Sequence, residues 1–144
     1  DVGALYDLPS QILHGDYQES NLFFERGVVS AIIDWDKVYT APPAWEVVRT
    51  LHLMLRFEAE PCRLFLDAYR ERRAISDDEL DTTAHCYGLM RAYSLWLFEE
   101  IYEAGNDRAR RFLKPGPFVP IATDWERLRT QIGYQRSEAT NETG

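Results

Sequence analysis

The pattern of hydrophobic and polar positions near the start of the chain predicts two apolar strands on either side of a polar loop. Residues 11–13 are mostly apolar, and polar residues dominate from 14 to 21. Residues 22–24 and 28–33 are again apolar, and Glu25-Arg26-Gly27 between them is a short glycine-containing connection that can close a hairpin. Because the last run is apolar almost throughout, we expect it to be buried on both faces.

The rest of the chain has the spacing of amphipathic helices. Pro43 favours a helix start, and apolar residues then recur at helical intervals up to about Phe57. Ser76 and Glu79 form a capping box at the start of the longest predicted helix, which Gly105 ends. The predicted helices cover residues 43–57, 61–73, 77–104, 106–113 and 119–132. The expected fold class is therefore α+β, mostly α-helical, with a short β-hairpin near the start.

Length and composition fit one globular domain. The chain has 144 residues, of which 45% are hydrophobic and 13% aromatic. We expect residues 1–134 to form the domain and the polar residues 135–144 to be a flexible tail. The two cysteines, Cys62 and Cys86, are far apart, which argues against a zinc site or a disulfide framework.

Charge and hydropathy limit the classes of partner. The formal net charge of −8 disfavours nucleic acid and anionic lipid, and it is compatible with a cationic small molecule. No apolar run approaches the roughly 20 residues that span a bilayer, and no secretory leader is visible. We therefore expect no nucleic-acid or membrane partner and a cytoplasmic location.

The predicted hairpin brings three polar side chains together. Asp16 and Asn21 lie in the loop five residues apart, and the second strand ends on Asp34, which returns beside Asn21. Phosphoryl transfer needs one carboxylate to orient and deprotonate the acceptor hydroxyl. It also needs a second carboxylate and an amide oxygen to hold magnesium, whose other ligands are phosphates and water. These three residues supply one group of each kind, at the spacing of the protein-kinase catalytic loop.

The motif His14-Gly15-Asp16-x-x-x-x-Asn21, followed by Ile33-Asp34-Trp35-Asp36, resembles that of the aminoglycoside phosphotransferase and choline kinase-like family. These are small-molecule kinases with a protein-kinase-like fold. The resemblance implies that Asp16 is the catalytic base, that Asn21 and Asp34 bind Mg²⁺, and that ATP is the phosphate donor. It also implies that the hairpin carries the catalytic loop and the metal-binding Asp within the C-terminal lobe of such a fold.

The nucleotide-binding features of an N-terminal lobe are missing from these residues. Only 13 residues precede His14, they contain no lysine, and the two lysines, Lys37 and Lys114, both follow the loop. A kinase also needs a glycine-rich loop and a lysine to hold the phosphates. We therefore expect the chain to be the C-terminal lobe of a longer polypeptide, and to be inactive without the N-terminal lobe.

Residues beside the motif receive supporting roles. His14 is expected to brace the loop backbone rather than to touch the reacting groups, and Asp36 to support or cap the loop. Glu46 stands where the family usually carries Asp, and we interpret it as a structural anchor near the loop. Phe23 and Trp35 alternate with the functional residues and are expected in the core.

Four residues of the longest predicted helix share one face: Trp96, Glu99, Glu100 and Glu103. An aromatic ring beside carboxylates suits a cation, so this face is a candidate binding site for a small-molecule hydroxyl acceptor that carries positive charge. The alternative is a solvated acidic face with one partly buried tryptophan. Antibiotics, amino alcohols and similar metabolites are all compatible with this candidate site as the hydroxyl acceptor.

Two other functions compete with a small-molecule kinase. One is a catalytically inactive kinase-like binding module, against which the intact Asp16, Asn21 and Asp34 argue. The other is a metal-dependent hydrolase using Asp16, Asp34 and Asp36, which lacks histidine ligands at metal spacing. Protein-kinase activity is disfavoured because only about eight residues separate Asp34 from Pro43, too few for a peptide-binding activation segment.

Overall fold

The computed structural model describes residues 2–113 and 118–133, so the predicted tail at 135–144 lies outside the described residues. The strands are β1 (Gln11–Leu13), β2 (Leu22–Glu25), β3 (Val28–Ile32) and β4 (Tyr39–Ala41). The α-helices are α1 (Pro43–Leu53), α2 (Ala59–Arg70), α3 (Asp77–Ala92), α4 (Trp96–Phe98) and α5 (Ile121–Ile132). Short 3₁₀ turns cover Val2–Leu5, Glu19–Asn21 and Asp107–Phe112, and a π-helical turn covers Glu99–Glu103. The fold class is α+β and mostly helical, as predicted.

The strands form two antiparallel pairs. β2 and β3 make the predicted hairpin, whose turn residues Arg26 and Gly27 both have positive φ, 51° and 79°. Such a turn matches the twist of the flanking strands. β1 pairs with β4, with Gln11 opposite Ala41. β4 is not among the strands predicted from the sequence, because a three-residue strand is too short to show alternation. This pairing fixes the start of the loop beside the start of α1.

Four helices, α1, α2, α3 and α5, enclose the hydrophobic core. The side chains of Val48, Leu51, Leu66, Leu80 and Leu128 are fully buried there. The capping box at the start of α3 is present as predicted: the Ser76 hydroxyl accepts from the Glu79 N–H, and the Glu79 carboxylate accepts from the Ser76 N–H. The core therefore lies on the helical side of the domain, behind the loop.

The longest predicted helix is broken, so the prediction of one helix over residues 77–104 was wrong. α3 ends at Ala92, and the chain continues through α4 and the π-helical turn. The predicted apolar stripe does not stay buried, because Met90 is 47% and Tyr93 82% exposed. A helix gains most of its stability from burying an apolar face, and beyond Ala92 the stripe has no core surface to cover. Ile101 and Ala109 of the next turn are buried, and neither belongs to the core cluster of the four helices.

The hairpin is exposed rather than buried, which overturns a second expectation. Phe23 is 54%, Val28 68% and Trp35 50% exposed, so neither Phe23 nor Trp35 is a core residue. β2 and β3 pack chiefly against each other within the described part of the chain. An apolar run shows that a strand is able to be buried. Whether it is buried depends on elements that are distant in the sequence.

Candidate active site

The loop between β1 and β2 is anchored on the first turn of α1. The Glu46 carboxylate accepts hydrogen bonds from two consecutive backbone N–H groups, that of His14 at 3.2 Å and that of Gly15 at 2.8 Å. A charged acceptor makes such bonds stronger than neutral ones. The role of Glu46 as a structural anchor is therefore confirmed, and α1 determines where the loop backbone lies.

Gly15 allows the loop to approach the segment that follows β3. Its φ of 81° lies in the left-handed region, and a Cβ atom placed on it would be 1.9 Å from the backbone oxygen of Lys37. A side chain at this position would therefore collide with backbone atoms. Gly15 thus lets two backbone segments lie in contact, and Lys37 comes beside the loop.

The His14 ring contacts the loop backbone and the end of β3. Its Nε2 lies 2.8 Å from the carbonyl oxygen of Ile33, and its Nδ1 accepts a 3.2 Å hydrogen bond from the Asp16 N–H. Because a carbonyl oxygen only accepts, these contacts require a neutral ring with its proton on Nε2. The ring also lies against that of Trp35, with 4.5 Å between centroids. His14 therefore joins the backbone of Asp16 to the end of β3.

The Asp16 side chain is buried and holds two cations. Its Oδ2 lies 3.1 Å from Nζ of Lys37, and its Oδ1 lies 3.0 Å from Nη2 of Arg49. Burial by itself would raise the pKa of Asp16, but the hydrogen bonds and charges of Arg49 and Lys37 outweigh it. The net result is a pKa below the ordinary value, so Asp16 is a carboxylate at neutral pH.

Asn21 connects Asp16 to the hairpin. Its side-chain amide is buried, and Nδ2 donates a 2.9 Å hydrogen bond to the backbone oxygen of Asp16. The Asn21 backbone oxygen accepts from the Ile33 N–H at 3.0 Å, which puts the following residue, Asp34, beside Asn21. The amide oxygen, Oδ1, has only a long 3.4 Å contact with the Ser20 hydroxyl and can accept another partner. The expected neighbourhood of these three residues is therefore present.

The donor set suits magnesium held mainly by other ligands. Asp34 has a φ of 63°, and its exposed carboxylate makes no hydrogen bond or ion pair within the described residues. No group of three His, Cys, Asp or Glu that could hold a metal ion occurs in that part of the chain. Asn21 and Asp34 would thus offer two hard oxygen ligands, which fits an ion that keeps several waters and phosphate oxygens. Asp36 likewise has no such contact in residues 2–113 and 118–133, so its supporting role stays a prediction.

Residues 2–82 match the sequence profile of the phosphotransferase enzyme family. The matched residues include the loop, both strand pairs and the first two helices. The chain belongs to the phosphotransferase enzyme family. The resemblance to small-molecule kinases is thereby confirmed, and such a family in general uses ATP and a divalent metal. Neither the curated proteins nor the solved structures gave a significant match.

The residues of the predicted acceptor face make local contacts with the turn that follows them. Trp96 packs against Phe112, with 6.0 Å between ring centroids, and Glu100 accepts a 2.7 Å hydrogen bond from the Asn106 amide. Glu99 and Glu103 are exposed on the same turn. In the described residues no hydrogen bond or ion pair joins these side chains to Asp16, Asn21 or Asp34, so their role stays a prediction.

Arg49 and Lys37 are site residues that the sequence interpretation did not assign. Arg49 follows Glu46 by three positions on α1, and this spacing puts both on the side of the helix that faces the loop. That spacing was the available signal for Arg49 once Glu46 was identified as an anchor. Lys37 gave no such signal, because its contact with Asp16 depends on the close approach at Gly15.

A cavity of about 230 Å³ lies beside the loop, between β1, α1 and α2. Tyr17, Glu46 and Tyr69 form part of its wall. Burial, together with the charge of Glu46, raises the pKa of Tyr17, so this phenol is a neutral hydrogen-bond donor. The cavity thus reaches the residue next to Asp16 and the carboxylate that anchors the loop.

The described residues contain no helix with the length and apolar character needed to cross a bilayer.

Proposed function

We propose that the protein is an ATP-dependent phosphotransferase that transfers the γ-phosphate to a hydroxyl group of a small molecule. In this proposal Asp16 is the catalytic base, and Asn21 and Asp34 hold magnesium. One observation carries it: Asn21 donates to the backbone of Asp16 and accepts from Ile33, next to Asp34. Asp16, Asn21 and Ile33 thus belong to one hydrogen-bonded unit, and Asp34 follows Ile33 directly in the chain.

The residues divide the work of the reaction. Asp16 orients the acceptor hydroxyl toward the γ-phosphorus and takes its proton as the new O–P bond forms and the bond from that phosphorus to the departing ADP oxygen breaks. Magnesium held by Asn21 Oδ1 and Asp34 would offset the negative charge of the phosphates. Glu46 and His14 keep the loop in place, since each bonds to its backbone. Positioning and charge neutralisation are the main demands of phosphoryl transfer, and these contacts serve both.

The proposal includes a second lobe. These 144 residues contain no glycine-rich phosphate loop and no lysine before the catalytic loop. We propose that both come from the N-terminal lobe of the same polypeptide, that the described residues are the C-terminal lobe, and that residues 1–144 alone do not turn over ATP. The experiments below therefore use the full-length protein.

The assignment of the base is tested with Asp16→Asn. Because Asn cannot accept the proton, kcat should fall by about 10² or more, in line with the usual effect of a positioned base, while KM for the acceptor changes little. Asp67→Asn, an exposed change on α2, is the matched control. An Asp16→Asn enzyme with nearly normal kcat would exclude Asp16 as the base.

The metal ligands are tested by calorimetry with Mg-ATP. Asp34→Ala should abolish magnesium-dependent nucleotide binding, because it removes the charged protein ligand. Asn21→Ala removes a neutral oxygen and should weaken binding less. Equal losses in the two variants would contradict this ranking.

The charge of the acceptor is tested by a screen. We propose that the face of Trp96, Glu99, Glu100 and Glu103 favours a cationic alcohol. Aminoglycosides, choline and uncharged alcohols should therefore be compared as acceptors, with ADP release as the readout. If the face binds the acceptor, Glu99→Gln together with Glu103→Gln raises KM for cationic acceptors alone, and an unchanged KM would show a merely solvated face.

A further inference from the structure

Both oxygens of the candidate base are paired with cations. Both oxygens of Asp16 are engaged, Oδ2 by the Lys37 ammonium at 3.1 Å and Oδ1 by the Arg49 guanidinium at 3.0 Å. A general base must offer an oxygen within hydrogen-bond reach of the hydroxyl whose proton it takes. Each oxygen is shared with a cation, which lowers its affinity for the hydroxyl proton, and the departure of one cation would raise that affinity.

Lys37 is the cation that can leave. Its side chain is 67% exposed, whereas that of Arg49 is 20% exposed and comes from a core helix. Within the described residues Asp16 is the only hydrogen-bond or ion-pair partner of Lys37. Because its side chain is exposed, the Lys37 ammonium can exchange Asp16 for water, and a lysine ammonium sits on a flexible stem with three rotatable donors. Separation from Asp16 is thus easy for Lys37 and costly for Arg49.

The reaction itself supplies a new partner for this ammonium. The acceptor hydroxyl contacts the base and the γ-phosphorus at once, so the γ-phosphate lies one hydroxyl group away from Asp16. A cation that sits on Asp16 Oδ2 is then within a side-chain rotation of the phosphate oxygens. Those oxygens carry more negative charge than one carboxylate, and they form strong charge-assisted hydrogen bonds with ammonium groups.

We propose that Lys37 is a catalytic residue that exchanges partners. Its ammonium pairs with Asp16 while the nucleotide site is empty and moves to the γ-phosphate when ATP binds. This frees Oδ2 for the acceptor hydroxyl, while Arg49 stays on Oδ1. Lys37 keeps its three protons throughout, and the proton of the hydroxyl goes to Asp16. The inference rests on the proposed function and adds a residue to it.

The exchange predicts that Lys37 distinguishes ATP from ADP. Calorimetry should compare Mg-ADP with the magnesium complex of a non-hydrolysable ATP analogue, on the full-length protein. Lys37→Met should weaken analogue binding by roughly tenfold or more, the usual effect of losing a hydrogen bond to a charged group, and leave ADP binding unchanged. Lys37→Arg should keep most of the discrimination. Arg63→Met, which removes a cation from the exposed face of α2, is the control and should change neither affinity.

Chemical labelling observes the ammonium directly. In the Asp16→Asn protein Lys37 has lost its carboxylate, so amine acetylation followed by mass spectrometry should modify it readily. The ATP analogue should then protect Lys37, and ADP should not. Equal labelling with both nucleotides, or equal loss of affinity for both in Lys37→Met, would overturn the exchange. The proposed function fails on a different result, a normal kcat in Asp16→Asn.

Discussion

Nη2 of Arg49 donates a 3.0 Å hydrogen bond to Oδ1 of Asp16, which joins a core helix to the candidate base. Glu46, one turn earlier on α1, holds the backbone of the same loop. One helix face therefore fixes both the loop and the charge state of its central carboxylate. The other terminal nitrogen of Arg49, Nη1, is buried and makes no hydrogen bond within the described residues.

Removal of the Arg49 charge should change the pH dependence of the reaction. Arg49 helps to lower the pKa of Asp16, so Arg49→Met should raise that pKa. The base is active as a carboxylate, and the acidic limb of the kcat/KM profile should therefore move to higher pH. The measurement is a pH–rate profile of the full-length variant. Arg63→Met is the control, and an acidic limb that stays in place would show that Arg49 does not tune Asp16.

Glu46 should contribute to stability as well as to activity. In Glu46→Gln only one side-chain oxygen remains to accept from the His14 and Gly15 N–H groups, and the amide NH₂ would face the other donor. The free energy of unfolding should fall by about 1–3 kcal/mol, the cost of an unsatisfied buried donor, and kcat should fall with it. Urea unfolding and steady-state kinetics measure both. Glu60→Gln, at an exposed position in the first turn of α2, should have almost no effect.

Gly15 and Gly27 make a matched pair of glycines. Both have positive φ, 81° and 79°, but a Cβ atom on Gly27 would meet nothing within 4 Å. Gly27→Ala should therefore cost only the backbone strain, about 1–2 kcal/mol. Gly15→Ala adds a collision with the Lys37 backbone and should destabilise the protein further and lower kcat. Similar unfolding free energies for the two variants would contradict the close approach at Gly15.

Asp16 should also stabilise the fold in a pH-dependent way. Its folded-state pKa lies below the ordinary value of 3.8, so its contribution is fully present above that value. The contribution is lost as the pH falls through the lowered folded-state pKa, because protonation removes the pairing with Arg49 and Lys37. Unfolding free energies of wild type and Asp16→Asn, compared from pH 6 downward, should therefore converge in strong acid. If the difference in unfolding free energy stayed constant over this range, the pairing of Asp16 with Arg49 and Lys37 would not stabilise the fold.

Local features could be predicted from the sequence because neighbouring residues decide them. The turn at Arg26-Gly27 and the capping box of Ser76 and Glu79 depend on a few consecutive positions, and the structure has both. The spacing of Asp16 and Asn21 and the strand that ends before Asp34 likewise made the family recognisable. The anchor role of Glu46 was predicted from a position in that pattern.

Distant contacts could not be predicted in this way. On α2 the buried residues are Cys62 and Leu66, whereas the equally apolar Leu64 is 55% exposed. A helix with apolar residues on two faces can bury one face or the other. The packing of α2 against α5 determines which face is buried here. The break after Ala92 has a similar cause, since periodicity shows an apolar stripe but not whether a core surface extends far enough to cover it.

The sequence by itself identified the residues of the candidate site, because motif residues are close along the chain or joined by one hairpin. Only the tertiary structure decided the charge environment of Asp16. Lys37 and Arg49 lie 21 and 33 positions away from it, and no local periodicity links them to the loop. Their contacts exist because Gly15 lets one backbone approach and because α1 presents Glu46 and Arg49 to the same loop. Electrostatic interactions depend on distance in space, and the fold sets that distance.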